Sequence, residues 1–363
     1  MQTNYISKFL ACLLLTSSMN IFAQLNLPRA SQQASVSQRV GITDITINYS
    51  RPSVNGREIW GKLVPYGINN LGFGTATEAP WRAGANENTT ITFTDDVMID
   101  GKDIKAGTYG FHVVVKPDDK ATIILSNDSQ SWGSFFYDKD QDALRADVAT
   151  REVPFRELLT YEFNSVTPTS ATVSLIWGKK EIPFTIEVPV NVIVLNDIRA
   201  KLKGQQGFIR QNWEQAANYA LNNGGDLNEA LGWINNAIAG QFYSQKTFNN
   251  LAIKGQILNK MGKTMEYALL MDEASEMANK TQLNQLGYQM INAKDYERAL
   301  KYFKMNIKNN PNDANGYDSL GECYKIMGDK KNAIKNLKKS LSLNPPANVK
   351  ANSEKLLTEL GAM

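Results

Sequence analysis

The chain has 363 residues, 42% of them hydrophobic and 21% charged, and 39 lysines and arginines against 36 aspartates and glutamates leave a formal charge of +3. That length accommodates two domains with cores of their own, so size alone demands neither a metal nor a disulfide. So small a charge excess gives no reason to expect nucleic acid or an anionic membrane surface as a partner.

The N-terminus reads MQTNYISKFLACLLLTSSMNIFAQLNLP, with Lys8 ahead of an apolar run from Phe9 to Leu15 and a small residue, Ala23, closing a more polar stretch. The apolar run is too short to span a bilayer comfortably, so residues 1–23 are expected to be an export signal cut after Ala23. A periplasmic or outer-envelope location follows, with no integral membrane span after signal removal. Cys12 lies inside the apolar run and leaves with it; Cys323 then stands alone and no intrachain disulfide is expected.

From Ile42 to Tyr49 the alternation of Ile45, Ile47 and Tyr49 with Thr46 and Asn48 predicts a half-buried strand. Thr89 to Phe93 and Val97 to Ile99 follow, and Asp100-Gly101 is a hairpin signal. Further strands are predicted over Thr108 to Val115, Ala121 to Ser126, Tyr161 to Val166, Ala171 to Trp177 and Glu181 to Val188, with Gly107, Pro117 to Asp119, Thr167-Pro168 and Gly178 as turns. Short strands with tight connections and no helix between them favour antiparallel pairing in a sandwich-like domain, because a parallel pair needs a long crossover.

Two connections are unusually rich in planar aromatics and fixed-geometry donors, Ser50 to Thr89 and Asn127 to Arg145. The first supplies candidate ligand-binding residues Arg51, Arg57, Trp60, Tyr66, Trp81, Arg82, Asn86 and Glu87, since long loops on a rigid sheet are where binding groups commonly sit. A second reading fits the same residues: the arginines pair with Glu58, Glu87 or backbone carbonyls, and Trp60, Trp81 and Trp132 cover an open sheet end.

The phrases PRASQQASVSQRVGITDITINYSRP, VNGREIWGKLVPYG, WRAGANENTTITF, GKDIKAGTYG, WGSFFYD and DALR occur in that order. With the later strands, roughly Pro28 to Val188, they resemble the DUF2911 family, a domain of unknown function. The resemblance implies an exported or cell-envelope domain and supplies no substrate. In the family pattern the WRxGANE phrase follows PYG closely, whereas Ile68 to Pro80 intervenes here.

After Pro189 the pattern becomes helical, and the expected domains are 24–195 and 196–363. Leu286-Gly287 recurs as Leu320-Gly321, Ala299 as Ala333, Phe303 as Leu337 and Pro311 as Pro345, a 34-residue period resembling two tetratricopeptide repeats, Thr281 to Asp313 and Ala314 to Ala347. Earlier hairpins are expected over Trp213 to Gly225 with Leu227 to Gly240, and Phe248 to Met261 with Thr264 to Asn279. Small residues including Ala216, Ala230, Ala237, Gly255 and Ala268 would pack them, and a cap is expected from Ser353 to Leu360. The expected architecture is thus multidomain: an antiparallel β-sandwich-like domain followed by a tetratricopeptide-type α-hairpin array. Such an array more often holds a peptide, a protein or a neighbouring domain than performs chemistry; Asn218, Asn222, Asn249, Asn284 and Lys325 are candidates for its groove.

His112, the only histidine, shares a strand face with Gly110 and Val114 and is the one acid/base candidate. One histidine and one retained cysteine make no zinc set, and Asp138, Asp140 and Asp142 lack the glycine and final acid of a helix-loop-helix calcium loop, so neither metal nor cofactor is expected. Acids for glycoside hydrolysis could be drawn from Glu58, Glu87, Asp138 and Asp142; alternatively the aromatics stack on a glycan or small molecule while Asn86 and Glu87 bond its hydroxyls. The leading expectation is a noncatalytic envelope interaction protein.

Overall fold

The computed structural model describes residues 27–363; the expected export signal, with Lys8 and Cys12, lies outside them. Two compact units meet between Val190 and Asn191, five residues before the expected junction. No helix among the described residues is long and apolar enough to cross a membrane.

The first unit contains, among the described residues, ten antiparallel strands in two sheets. Strands β1 (Gln32–Val40), β2 (Thr43–Arg51), β3 (Thr89–Phe93), β6 (Gly107–Val115), β7 (Lys120–Ser126) and β8 (Asp142–Ala149) form one sheet in that order. Strands β5 (Lys102–Ile104), β4 (Val97–Ile99), β10 (Ser170–Glu187) and β9 (Arg151–Val166) form the other. Alternation puts Ile45, Ile47, Ile91, Phe93, Phe111, Val113, Ile123 and Leu125 of the larger sheet in the core, with Tyr161, Val173, Leu175, Trp177 and Phe184 of the smaller one. Phe111 stacks on Phe184 with centroids 5.3 Å apart and meets the edge of Tyr161 at 6.0 Å, which fixes the face-to-face packing.

Asp100 and Gly101, with φ of 54° and 69°, turn β4 back onto β5 as their pairing signal implies. Gly178 does not make the expected turn. It sits inside the single long strand β10, with φ of 59°, where the register against β9 shifts on both sides, so it is a bulge that lets one strand bend and continue. Strands β1, β5 and β8 fall where none was expected, and β9 begins ten residues before the expected Tyr161. The last four residues of the loop expected to run to Arg145, Asp142 to Arg145, are therefore the start of β8.

The second unit contains ten α-helices among the described residues. Helix α1 (Val190–Leu202) leads into hairpins α2 (Arg210–Asn222) with α3 (Leu227–Ile238), α4 (Phe248–Lys260) with α5 (Thr264–Ser275), α6 (Lys280–Asn292) with α7 (Tyr296–Asn309), and α8 (Ala314–Ile326) with α9 (Lys330–Ser342). Helix α10 (Ala347–Glu359) closes the array and begins six residues before the expected cap. Asp226, Thr247, Asn279, Asp295 and Asp329 start their helices by accepting backbone N–H bonds on their side chains.

One packing rule repeats. A Cβ added at Gly255 would lie 2.4 Å from Met271, at Gly287 2.4 Å from Phe303, and at Gly321 2.7 Å from Leu337. Each large residue stands sixteen positions after its glycine, so the second helix of a hairpin seats a bulky side chain directly on the bare backbone of the first. Ala268, expected in this role, is only half-buried, and Ala274 and Ser275 are the buried small residues of its helix.

Phe303 is fully buried in a core that α4 to α8 share. Phe303→Ala is expected to cost about 3–5 kcal/mol of stability, read as a lowered urea midpoint of the helical signal.

Candidate ligand cavity and helical groove

Strand β6 is buried on both faces, and its backbone positions the cavity of the first unit. Beyond the end of β3, Trp81 continues the sheet: its N–H donates to the Val113 carbonyl at 2.9 Å and its carbonyl accepts from the Val113 N–H at 2.8 Å. The Gly67 N–H donates to the Val115 carbonyl at 2.9 Å, so the inserted segment Ile68 to Pro80 is anchored to the same strand at both ends. Trp81 stacks on Trp177 at 6.0 Å, and Trp60 presents its edge to both.

Against this cluster opens a cavity of about 380 Å³, lined by Arg57, Trp81, Arg82 and Asn86 from the expected set, together with Trp177, Ser134, Asn69, Ser31 and the apolar residues Leu63, Val64, Pro65, Leu71 and Pro80. Sequence reasoning missed Trp177 because its alternation with Val173 and Leu175 marks an ordinary core position. Trp60 supports the wall from behind Trp81. The indole N–H groups of Trp60 and Trp177 are buried with no acceptor among the described residues.

The remaining expected residues do not converge there. Arg51 bridges strands, donating to the Leu159 carbonyl at 3.0 Å and to Thr160 Oγ1 at 2.8 Å. Glu87 pairs with Arg29 and borders a different depression beside Tyr49 and Asn88. Tyr66 is exposed, and its ring occupies the space beside Gly61, where a Cβ would lie 2.7 Å away.

Arg82 is held unusually firmly. Its Nη1 donates to the Asn86 carbonyl at 2.7 Å, its guanidinium lies 4.9 Å over the Phe135 ring, and a Cβ at Gly133 would come within 2.4 Å of Cζ. Burial lowers its pKa. Arg57 is exposed and donates to the carbonyls of Val54 at 3.1 Å and Ser53 at 2.6 Å. Both arginines therefore partly follow the loop-fastening reading, through backbone carbonyls, while still facing the cavity.

His112 lies on the other face of β6 from Phe111, 2% exposed, with Nδ1 3.1 Å from Ser134 Oγ and its ring 5.4 Å from Tyr137. Burial brings its pKa down to about 4, an effect that Asp128 opposes and Arg82 reinforces. A base that weak is poorly matched to proton abstraction near neutrality. Asp142 is taken by Tyr137 Oη at 2.7 Å and Arg145 Nε at 2.5 Å, whereas Asp138 accepts from the Asp140 N–H at 2.9 Å to cap a short 3-10 turn. No group of three or more histidine, cysteine or carboxylate side chains converges as a metal site among the described residues.

In the second unit, side chains cross between the first helices of successive hairpins, and from the closing helix α10 to the last of them. Asn250 Nδ2 donates to Glu214 Oε1 at 3.1 Å, Tyr288 Oη to Glu322 Oε2 at 2.8 Å and Asn352 Nδ2 to Asp318 Oδ2 at 2.8 Å. Beside these bonds stand exposed amides: Gln215, Asn218 and Asn222 on α2, Asn249, Gln256 and Asn259 on α4, and Gln285, Gln289 and Asn292 on α6. Of the other expected groove residues, Asn284 is half-buried, with an Oδ1 that lacks a donor among the described residues, and Lys325 pairs with Glu359.

Residues 31–186 match the model of a family described as a protein of unknown function, DUF2911. No curated protein matches the chain. Among solved structures, MamA is 15% identical over 43% of this chain and 89% of its own, with a TM-score of 0.33. YrrB, described as a TPR protein with an unusual peptide-binding site, is 16% identical over 46% of this chain and 84% of its own, with a TM-score of 0.32. The C-terminal part of a TPR repeat-containing protein from Cytophaga hutchinsonii is 16% identical over 43% and 60%, with a TM-score of 0.34.

Gly133 has φ of 64°. Gly133→Ala is expected to lower stability by about 1–2 kcal/mol in denaturant titration, through backbone strain and displacement of Arg82. For His112 the folded pKa lies below the unfolded value of about 6.5, so its contribution is complete above that pH and is lost as pH falls toward 4. The loss amounts to about 3 kcal/mol, and His112→Gln should flatten the dependence of the unfolding midpoint on pH across that window.

Proposed function

We propose that the protein is a noncatalytic interaction scaffold of the cell envelope, in which the helical array holds a peptide or protein segment. The observation that carries this reading is the series of exposed amides on α2, α4 and α6. An amide both donates and accepts, so such a surface can pair with an extended peptide backbone at no cost in buried charge. The envelope location rests on residues 1–23 alone. A second reading, that the β unit holds a small molecule or a glycan, is favoured by the cavity beside Trp81.

A photo-crosslinking residue placed at Asn218 or Asn259 is expected to capture the same partner from an envelope extract, whereas one at Lys338, exposed on the second helix α9, captures little. Equal capture at all three positions would count against a groove. Turnover of an envelope glycan or peptide by the purified chain, abolished by His112→Ala with the fold retained, would refute the noncatalytic assignment.

A further inference from the structure

We infer that the cavity beside Trp81 is an anion site: it takes a small carboxylate with a flat or apolar body, the charged end at Arg82 and Arg57 and the body against the tryptophan wall. This rests on the reading of the cavity as a ligand site and adds the class of ligand. Charge decides the class. Among the described residues, two arginines line the cavity and no aspartate or glutamate does. Neither arginine forms an ion pair among the described residues, although twenty-one such pairs occur elsewhere in them.

A guanidinium partly withdrawn from water and satisfied only by a backbone carbonyl leaves a positive charge without its counterpart, and a planar fork of donors matches a carboxylate better than a hydroxyl. Arg82 is also pre-organised. Gly133 on one side and the Phe135 ring on the other hold its plane, so little side-chain freedom remains to be lost on binding. Its lowered pKa reflects the same desolvation.

The wall argues for the body of the ligand. Trp81 and Trp177 lie nearly parallel, at 14°, and Leu63, Pro65 and Pro80 continue the apolar lining. A neutral sugar would leave the partly buried Arg82 guanidinium without a counter-charge.

The test titrates the purified full chain with three probes of one shape, 3-phenylpropionate, 3-phenylpropanol and 3-phenylpropylamine, following tryptophan fluorescence and heat. The acid should bind saturably, the alcohol about tenfold or more weakly, and the amine weakest of all. Arg82→Gln should weaken the acid about tenfold and leave the alcohol unchanged, with Arg82→Lys recovering part of the loss. Arg57→Gln, at an exposed position, should weaken the acid without threatening the core. If acid and alcohol bind equally, or if neither glutamine variant changes the preference, the anion assignment is overturned while the cavity stands as a ligand site. If no probe binds at about 10 mM, the ligand-site reading fails and the anion assignment with it.

Discussion

Burial of strand β6 on both faces is the constraint on which the first unit depends. Phe111 on one side meets the opposite sheet, while His112 on the other is roofed by the loop that carries Ser134 and Tyr137. A loop that covers a buried strand becomes part of the core and loses the freedom usual for connections. The same strand extends its hydrogen bonds to Gly67 and Trp81, so the cavity is framed by backbone held at sheet precision.

That arrangement explains how so polar a region is held in place. Arg82, Gly133 and Phe135 come from two loops far apart in the chain, each tied to or lying over β6, and their mutual fit follows from that shared support. The helical unit meets a comparable demand by different means. Its polar groups pair across neighbouring hairpins, and Asp318, whose pKa burial raises, is sustained by Asn352 and Ser353 from the closing helix.

Much of this architecture was legible in the sequence, and what was not has identifiable causes. The alternation around Ile45 and Phe111 and the Asp100-Gly101 turn identify strands because packing and turn geometry act locally. Strand β1, QQASVSQRV, is an exposed edge with almost no apolar face, and β8 carries Asp142, Arg145 and Asp147, so neither shows the apolar alternation of a core strand. Gly178 looked like punctuation because a positive φ serves a bulge and a turn alike. For the cavity, the residue types were readable but their meeting was not: Arg57, Trp81, Arg82 and Asn86 converge, whereas Arg51 and Glu87 are drawn off by Thr160 and Arg29, and sheet order alone decides which. The 34-residue period is clear only in the last two repeats, since Gly255 and Gly287 stand 32 residues apart.

The sixteen-residue step from glycine to bulky partner stays constant while the distance between hairpins varies. An extra residue within a hairpin would swing its second helix by about 100° and carry methionine, phenylalanine or leucine away from the bare backbone that receives it. An extra residue at a junction leaves every seat intact and alters only how one pair is set against the next. Length changes at the junctions thus give this array a means of adjusting its curvature, and so the span of chain it can embrace, without remaking any of its interior.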